Sequence, residues 1–112
     1  MPARSDQPLT PEQQRFWALA ESLVGSEGVA EGTLMGSRCL RVQGEFLATY
    51  FPRDTAAIIK LNEARVTELI AEGIGAPFAP AKKVFREWVA VGPEHADQWE
   101  ALIREGISLA TK

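Results

Sequence analysis

The sequence holds a single cysteine, Cys39, and a single histidine, His95. One cysteine cannot form an intramolecular disulfide, which is typical of a protein kept in a reducing compartment. One cysteine with one histidine also cannot supply the usual zinc-binding spacings within a chain. Because a catalytic Cys–His pair needs both groups within hydrogen-bond reach and a third group to orient them, and nothing in the sequence indicates this, Cys39 is interpreted as buried and inert.

Long hydrophobic runs are missing as well. No apolar stretch approaches the roughly 20 residues that a membrane-spanning helix needs. Residues 1–10 are polar and include two prolines, so they predict a flexible N-terminal tail rather than a signal peptide. We therefore expect a soluble, cytoplasmic protein with a single domain over residues 11–112.

Signatures of cofactor binding and acid–base chemistry are also missing. The early glycines match neither the dinucleotide-binding fingerprint nor the phosphate-binding loop; they are Gly25, Gly28, Gly32 and Gly36. Glu87 stands in an apolar stretch, where an acid–base group is one interpretation and a salt-bridged strand residue the favoured one. The sequence predicts no catalytic residue, no metal site and no cofactor, so an enzyme is not expected.

Three segments have the periodicity of helices. Pro11–Val24 carries one apolar stripe, with Thr10 as N-cap and Gln13 placed for a capping box. Asn62 is predicted to cap a second helix that ends at Glu72. A third helix runs to about Ala110, and its start stays open between Pro93 and a capping box formed by Asp97 with Glu100.

The segments between the helices read as strands. Val29–Met35 is predicted as a short strand turning at Gly36, and Gln43-Gly44 as the two-residue turn of a hairpin that places Leu40 opposite Leu47. Further strands are predicted over Thr55–Leu61, after a turn at Pro52-Arg53-Asp54, and over Lys83–Val91. The order is helix, three or four strands, helix, strand, helix. It predicts an α+β fold with two layers, a mainly antiparallel sheet with helices packed on one face.

Neither face of the predicted sheet is cleanly polar. Val42 and Leu47 fall on one face, whereas Cys39, Phe46, Ala48 and Tyr50 fall on the other. A sheet covered on one side only should alternate more sharply. This pattern predicts exposed apolar groups and hence a homodimer or a partner surface, unless the loop 77–81 or the N-terminal tail covers that face.

The net charge of −3 argues against a wholly basic nucleic-acid binder. The charge is unevenly distributed, however: residues 36–60 and 81–91 each carry +2, and together they sum to +4 against −7 for the rest. One interpretation is that helices simply collect glutamate; the other is a sheet face that meets an anionic partner. The candidate partner surface combines cations with aromatic side chains that could stack on bases: Arg41, Tyr50, Lys60, Arg86 and Trp88, with Lys82 and Lys83 nearby.

The order of several short motifs resembles the N-terminal domains of TfoX-like proteins, whose signature reads MFG followed by LxVxGkxFA. Here the corresponding run is Leu34-Met35-Gly36 followed by residues 39–48, CLRVQGEFLA. Downstream, the resemblance continues through Ile58-Ile59-Lys60-Leu61, Arg65-Val66, Glu68-Leu69-Ile70, Gly73, Pro77-Phe78, Arg86-Glu87-Trp88-Val89, Trp99 and Leu102. Met35 stands where the family usually has phenylalanine, and methionine can fill the same space. The neighbouring MmcQ/YjbR proteins share the layout.

The resemblance implies a bacterial two-layer α+β domain, similar in shape to type III secretion chaperones, with a non-enzymatic role. TfoX proteins regulate competence genes, and YjbR-type proteins are often described as DNA-binding. We therefore expect a non-catalytic module that contacts nucleic acid or a regulatory partner through its sheet face. The alternative is a chaperone-like dimer that binds a protein partner on an apolar sheet surface.

Overall fold

The computed structural model describes residues 10–25, 28–34, 37–51, 55–79 and 83–110. The predicted tail over residues 1–9 and the predicted turns at Gly36 and at Pro52-Arg53-Asp54 lie outside these ranges. The described elements are α1 (Pro11–Leu23), β1 (Val29–Leu34), β2 (Ser37–Val42), β3 (Glu45–Phe51), β4 (Ala56–Lys60), α2 (Glu63–Ala71), β5 (Ala76–Pro77), β6 (Trp88–Val91), a 3-10 helix (Pro93–Gln98) and α3 (Trp99–Ala110).

The strands form one six-stranded sheet in the order β1-β2-β3-β4-β6-β5, and every neighbouring pair is antiparallel. Buried side chains of α1, α2 and α3 join those of one sheet face in a single hydrophobic core. We call this the helix face and the opposite one the second face. The predicted α+β fold, an antiparallel sheet with helices on one side, is confirmed.

The helix starts agree with their sequence signals. In α1, the Thr10 hydroxyl accepts a hydrogen bond from the Gln13 backbone N–H at 3.2 Å, and the Gln13 side chain accepts one from the Thr10 N–H at 2.9 Å. This is the predicted capping box, which satisfies two backbone donors that the helix itself cannot. The Asn62 side chain caps α2 by accepting from the Arg65 N–H at 2.8 Å.

The start of α3 matches neither of the two alternatives. Pro93 is the first residue of a 3-10 helix, and His95 departs from helical geometry (φ −116°, ψ 28°) before α3 begins at Trp99. The buried residues of α3 are Trp99, Leu102, Ile103, Gly106 and Ile107, whereas Ala110 at its end is exposed.

The predicted hairpin turn is confirmed, but its register is wrong beyond two pairs. Gln43 and Gly44 both have positive φ (52° and 83°), as a type I′ turn requires. Val42 then pairs with Glu45 and Arg41 with Phe46, but Leu40 pairs with Ala48 and not with Leu47. Leu47 is the extra residue of a β-bulge.

The bulge corrects the predicted faces of β3. Phe46 stays on the second face with Cys39, as predicted. Leu47 and Ala48 both join the helix-face core, and Tyr50 follows them there. The prediction that Ala48 and Tyr50 share a face with Cys39 is therefore wrong, because one inserted residue reverses the alternation that follows it.

The last predicted strand is shorter than its sequence pattern. Lys83–Val91 was expected to be a single strand, but only Trp88–Val91 pairs with β4. Residues 83–87 instead form a loop in which the Phe85 N–H donates to the Phe78 carbonyl at 2.9 Å and the Trp88 N–H to the Phe85 carbonyl at 3.1 Å. The two-residue strand β5 at the sheet edge was not predicted.

Gly106 lets α3 lie close against the sheet. A Cβ atom at this position would lie 2.8 Å from the Lys60 carbonyl oxygen and 2.9 Å from Cδ1 of Leu47. Both contacts are tighter than real Cβ atoms adopt, and one of them is with backbone. The absence of a side chain at Gly106 therefore sets the approach of α3 to β4.

Gly106→Ala should lower the free energy of unfolding, by about 1–3 kcal/mol, because overpacking outweighs helix propensity. Propensity alone predicts the opposite sign, since alanine in a helix interior is better than glycine by about 1 kcal/mol. Urea denaturation followed by circular dichroism measures the change. A variant as stable as the wild type, or more stable, would show that the helix can shift outward at little cost.

Candidate binding surface

The second face of the sheet carries a cluster of five aromatic rings. Phe46 and Trp88 stack with ring centroids 4.4 Å apart, and Phe78 stacks on Trp88 at 5.6 Å. Phe85 contacts Trp88 at 4.9 Å and Phe78 at 5.7 Å, and Phe51 contacts Phe78 at 5.7 Å. We call this set, Phe46, Phe51, Phe78, Phe85 and Trp88, the second-face cluster. It packs over Cys39, Ala56 and Ile58, which are buried.

The second-face cluster decides how open this side of the sheet is. Phe78, from the loop after β5, is itself buried. Trp88, Phe85 and Phe51 are half-buried. Among the described residues, only Val24 and Val84 are large apolar side chains that remain exposed. The loop that carries Phe78 and Phe85 thus covers part of the second face, which is the alternative that the sequence left open to an exposed apolar sheet surface.

The candidate partner residues do not form one surface. Tyr50 is only 5% exposed and lies on the helix face, where its ring contacts Phe16 and Trp99, both at 5.9 Å. The β3 bulge is the physical reason, because it turns Tyr50 toward the helices. Tyr50 therefore does not belong with Trp88, which is half-buried on the second face.

Two of the candidate cations already have partners within the chain. Arg41 donates from Nη1 to the Gly44 carbonyl at 3.0 Å and from Nη2 to the Thr33 carbonyl at 2.8 Å. Lys60 lies 3.4 Å from a Glu45 carboxylate oxygen. An anionic partner would have to compete with these contacts, so they weaken the basic platform that the sequence predicted.

Arg86 is the most accessible of the candidate cations, with 76% of its side chain exposed. Its closest carboxylate, from Glu63, is 3.8 Å away, and Glu63 is exposed as well. An exposed pair at this distance contributes little and leaves the guanidinium available. Nearby, the ammonium of Lys83 lies 5.6 Å from the centre of the Phe85 ring. Lys82 lies outside the described residues.

A groove runs along α2 at the edge of the sheet, beside the loop that precedes β6. It has a volume of about 210 Å³, and we call it the α2 groove. Val84 stands in its lining with 54% of its surface exposed. The walls combine apolar side chains with one charge of each sign: Val66, Thr67, Ile70, Pro77, Val84, Phe85 and Trp88, with Glu63 and Arg86.

A second cavity, of about 370 Å³, opens between the hairpin end of the sheet and the end of α3. Its charged lining consists of Glu45, Lys60 and Glu87, and Gly106 and Leu109 form part of its apolar wall. Glu87 is exposed and lies in the loop before β6, so it is not the strand residue that the sequence predicted. Glu45 and Lys60 pair with each other at 3.4 Å, so two of the three charged side chains of this lining are engaged within the chain.

No family model, curated protein or solved structure significantly matches this chain. The resemblance to TfoX N-terminal-like domains and to the MmcQ/YjbR proteins accordingly stays a prediction. Any function has to be argued from the surfaces of the chain itself.

Two ionisable side chains of the described interior, Cys39 and Tyr50, have raised pKa values. Burial raises the pKa of the Cys39 thiol, and the charge of Arg41 opposes this only in part. Burial and, second, the charge of Glu12 raise the pKa of Tyr50. Both shifts favour the neutral, unreactive form. Cys39 lies beneath the second-face cluster, whereas His95 belongs to the 3-10 helix on the way to α3.

Among the described residues, ion pairs also occupy Arg38, Arg65 and Arg104. Burial disfavours the charge on Arg38, but hydrogen bonds to Glu31 and Glu21 outweigh it and raise the pKa of this guanidinium. The Arg65 guanidinium pairs with Glu68 and Glu105, and these contacts raise its pKa against the effect of burial.

The part of the chain that the structure describes shows neither a metal-binding cluster nor a membrane-spanning helix. No cluster of three or more His, Cys, Asp or Glu side chains there could hold a metal ion. No helix in those ranges is both long enough and apolar enough to cross a bilayer.

The α2 groove was not expected from the sequence. Residues 83–87 were predicted as part of a strand, and successive strand residues such as Val84 and Phe85 point to opposite faces of a sheet. One signal was available: the run Lys82-Lys83-Val84-Phe85-Arg86 places three cations around two apolar residues, which is unusual for a strand with both faces covered. That Ile70 of α2 would face this loop could not be inferred, because the two positions are distant in sequence.

Proposed function

We propose that this chain is a small, non-catalytic, cytoplasmic binding module whose partner is a regulatory protein that inserts an apolar side chain into the α2 groove. The observation that carries the proposal is the exposure of Val84. It is one of the two large apolar side chains that are exposed among the described residues, and it lines a groove whose other walls are largely apolar. A single exposed apolar side chain is ordinary on a protein surface, but one that continues the apolar wall of a groove adds to a contiguous surface of the kind that partners bind.

The size and rim of the α2 groove define what fits. Burying one leucine- or phenylalanine-sized side chain contributes about 1.5–3 kcal/mol, so the groove supplies an anchor and further contacts must supply the rest. Arg86, exposed on the rim, favours a partner that carries a carboxylate next to its apolar anchor. An anchor with a charged rim is the usual anatomy of a protein–protein contact.

Nucleic acid is the second candidate, and one observation favours it. Phe85 and Trp88 are half-buried aromatic rings with Lys83 and Arg86 beside them, a combination that can stack bases and contact phosphates. It receives less support than a protein partner because Lys60 and Arg41 are bound within the chain. The chaperone-like dimer has the least support, since the second-face cluster covers the sheet surface that it would use.

Val84→Arg should weaken the binding of peptides selected from a displayed random library by at least about tenfold, or about 1.4 kcal/mol. Val24→Arg is the matched control, because Val24 is 41% exposed at the end of α1 and does not line the groove. The selected peptides should share an apolar residue near an acidic one, and Arg86→Glu should weaken their binding.

The salt dependence of binding distinguishes nucleic acid from a protein partner. A gel shift with mixed single-stranded and duplex DNA at low salt, weakening steeply as salt rises and lost in Arg86→Glu, would support that candidate instead. Peptide binding that is equally affected by Val84→Arg and Val24→Arg, or absent altogether, contradicts the groove as the site.

A further inference from the structure

The cavity of about 370 Å³ lies between the hairpin end of the sheet and the end of α3, and we call it the α3 cavity. Its lining shares no residue with that of the α2 groove. Its volume lies within the range of roughly 300–1,000 Å³ that is typical of sites for small organic molecules. The chemistry of the lining therefore decides which kind of molecule fits.

The apolar wall of the α3 cavity is held in place by the core. Leu109 supplies its more accessible part, because it is partly buried and packs against the core cluster of the helix face. Val42, Leu47 and Leu61 also line the cavity and are each at most 3% exposed. A wall of this kind is preformed, so a ligand would gain apolar contact without first having to order the side chains that it touches.

The charged part of the lining carries a net charge of −1, from the two carboxylates of Glu45 and Glu87 and the ammonium of Lys60. Glu45 and Lys60 form an ion pair at 3.4 Å. Glu87 is exposed and forms no salt bridge with any of the described residues. In this part of the chain, one negative charge of the cavity is thus left without a partner.

The backbone fixes the position of Glu87 at the cavity. Its carbonyl accepts a hydrogen bond from the Leu61 N–H at 2.8 Å, and the next residue, Trp88, pairs with Lys60 in the ladder between β4 and β6. The unpaired carboxylate therefore belongs to a residue anchored directly beside the apolar wall. A ligand that carries one charged group on an apolar body could contact both.

The end of α3 adds a second negative contribution. Leu109 and Ala110 are the last two residues of this helix, and both line the cavity. The last carbonyl groups of a helix carry a partial negative charge, which a cation stabilises. Within the described residues, the last turn of α3 holds no lysine or arginine. Glu87 and this helix end both favour a cation over an anion.

We propose that the α3 cavity binds a small organic cation, an ammonium group on an apolar body, with the ammonium at Glu87 and the body against Leu109. One positive charge brings the net charge of the occupied lining from −1 to zero, whereas an anion would bring it to −2. A zwitterion would leave the charge at −1 and would have to draw Lys60 away from Glu45. Lys60 itself repels a cation and so limits its affinity.

Four probes that share a phenyl body test the sign of the charge: 2-phenylethylamine as the cation, phenylalanine as the zwitterion, 3-phenylpropionate as the anion and 2-phenylethanol as the neutral compound. Each is titrated to about 10 mM at pH 7 and constant ionic strength, and amide chemical shifts give the dissociation constant. We expect the amine to bind at least about threefold more tightly than each of the others. The shifts should appear at Leu61, Glu87 and Gly106, and not at Val84 in the α2 groove.

Two substitutions of charged residues should change the affinity for 2-phenylethylamine in opposite directions. Glu87→Gln removes the negative charge at nearly constant size and should weaken binding by about threefold or more. Lys60→Met removes the repelling ammonium, keeps an apolar stem and should strengthen binding by about twofold or more. Glu72→Gln is the matched control, because Glu72 is an exposed carboxylate at the end of α2 and outside this lining. It should leave the affinity unchanged.

The apolar wall has a control of its own. Leu109→Ala should weaken the binding of 2-phenylethylamine by about two- to fourfold, because it removes apolar surface that the phenyl ring would cover. Leu19→Ala is the matched control, since Leu19 is also partly buried against the same core but does not line the α3 cavity. Its affinity should equal that of the wild type.

Three results would overturn the proposal. The first is the absence of amide shifts at Glu87 and Gly106 when 2-phenylethylamine is added. The second is phenylalanine or 3-phenylpropionate binding as tightly as the amine. The third is an affinity for the amine that Glu87→Gln leaves unchanged or that Lys60→Met lowers. None of them bears on the α2 groove, because Val84→Arg tests that site separately.

Discussion

Trp99→Ala should lower the free energy of unfolding by about 3–5 kcal/mol, the range for a fully buried large aromatic side chain. Trp99 has no exposed surface, and its ring meets Phe16 at 5.7 Å and Tyr50 at 5.9 Å, both in edge-to-face geometry. Its indole N–H also donates to the buried Val91 carbonyl at 3.0 Å. Truncation creates a cavity where α1, α3 and the sheet meet, and it also removes this hydrogen bond.

Trp99→Phe separates these two contributions. It keeps a ring between Phe16 and Tyr50 but removes the donor to Val91, so a smaller loss of about 1–3 kcal/mol is expected. Urea denaturation followed by far-ultraviolet circular dichroism gives all three stabilities without relying on tryptophan emission. A loss below about 1 kcal/mol for Trp99→Ala would mean that the helices do not close on the sheet as described.

The helix face of the fold could be predicted because its signals are local. The capping box at Thr10 and Gln13, the cap at Asn62 and the apolar spacing of α3 each depend on residues within a few positions of one another. The Gln43-Gly44 turn is equally local, since its backbone angles follow from the two residues that form it. These elements leave one apolar stripe per helix, which a sheet must cover.

The second face could not be predicted in the same way, because one bulge and one loop decide it. Nothing in the alternation of β3 distinguishes Leu47 as the inserted residue, yet its insertion sends Tyr50 to the helices. Residues 83–87 alternate in the manner of a strand, but Phe85 owes its burial to Phe78 and Trp88, with which it shares ring contacts rather than a ladder.

The candidate site was predicted only in part for a related reason. Residue types indicated Arg41, Lys60 and Arg86, but whether a cation is free depends on neighbours that the fold brings from elsewhere. Arg41 is held by a carbonyl of β1, eight positions away, and Lys60 by Glu45, fifteen positions away. Arg86, whose closest carboxylate is 3.8 Å away and itself exposed, is the one of the three that keeps an accessible charge.

Phe78→Ala should cost about 3 kcal/mol of stability and should also open the second face. Phe78 is 4% exposed, and its ring contacts Phe51, Phe85 and Trp88 at 5.6–5.7 Å. The expected loss of stability lies at the lower end of the range for a buried phenylalanine, because the loop beside Phe78 can partly collapse into the space that the ring leaves.

The same substitution tests whether this ring holds the loop that shapes the α2 groove. The Phe85 N–H donates to the Phe78 backbone carbonyl, which the substitution keeps. Faster hydrogen exchange at Phe85 in Phe78→Ala would therefore report the loss of the side chain's packing, and peptide binding at the groove should weaken with it. Phe78→Leu, which keeps most of the apolar volume, should change both far less. Unchanged protection at Phe85 in Phe78→Ala would mean that the loop, and with it the groove, is held by contacts other than this ring.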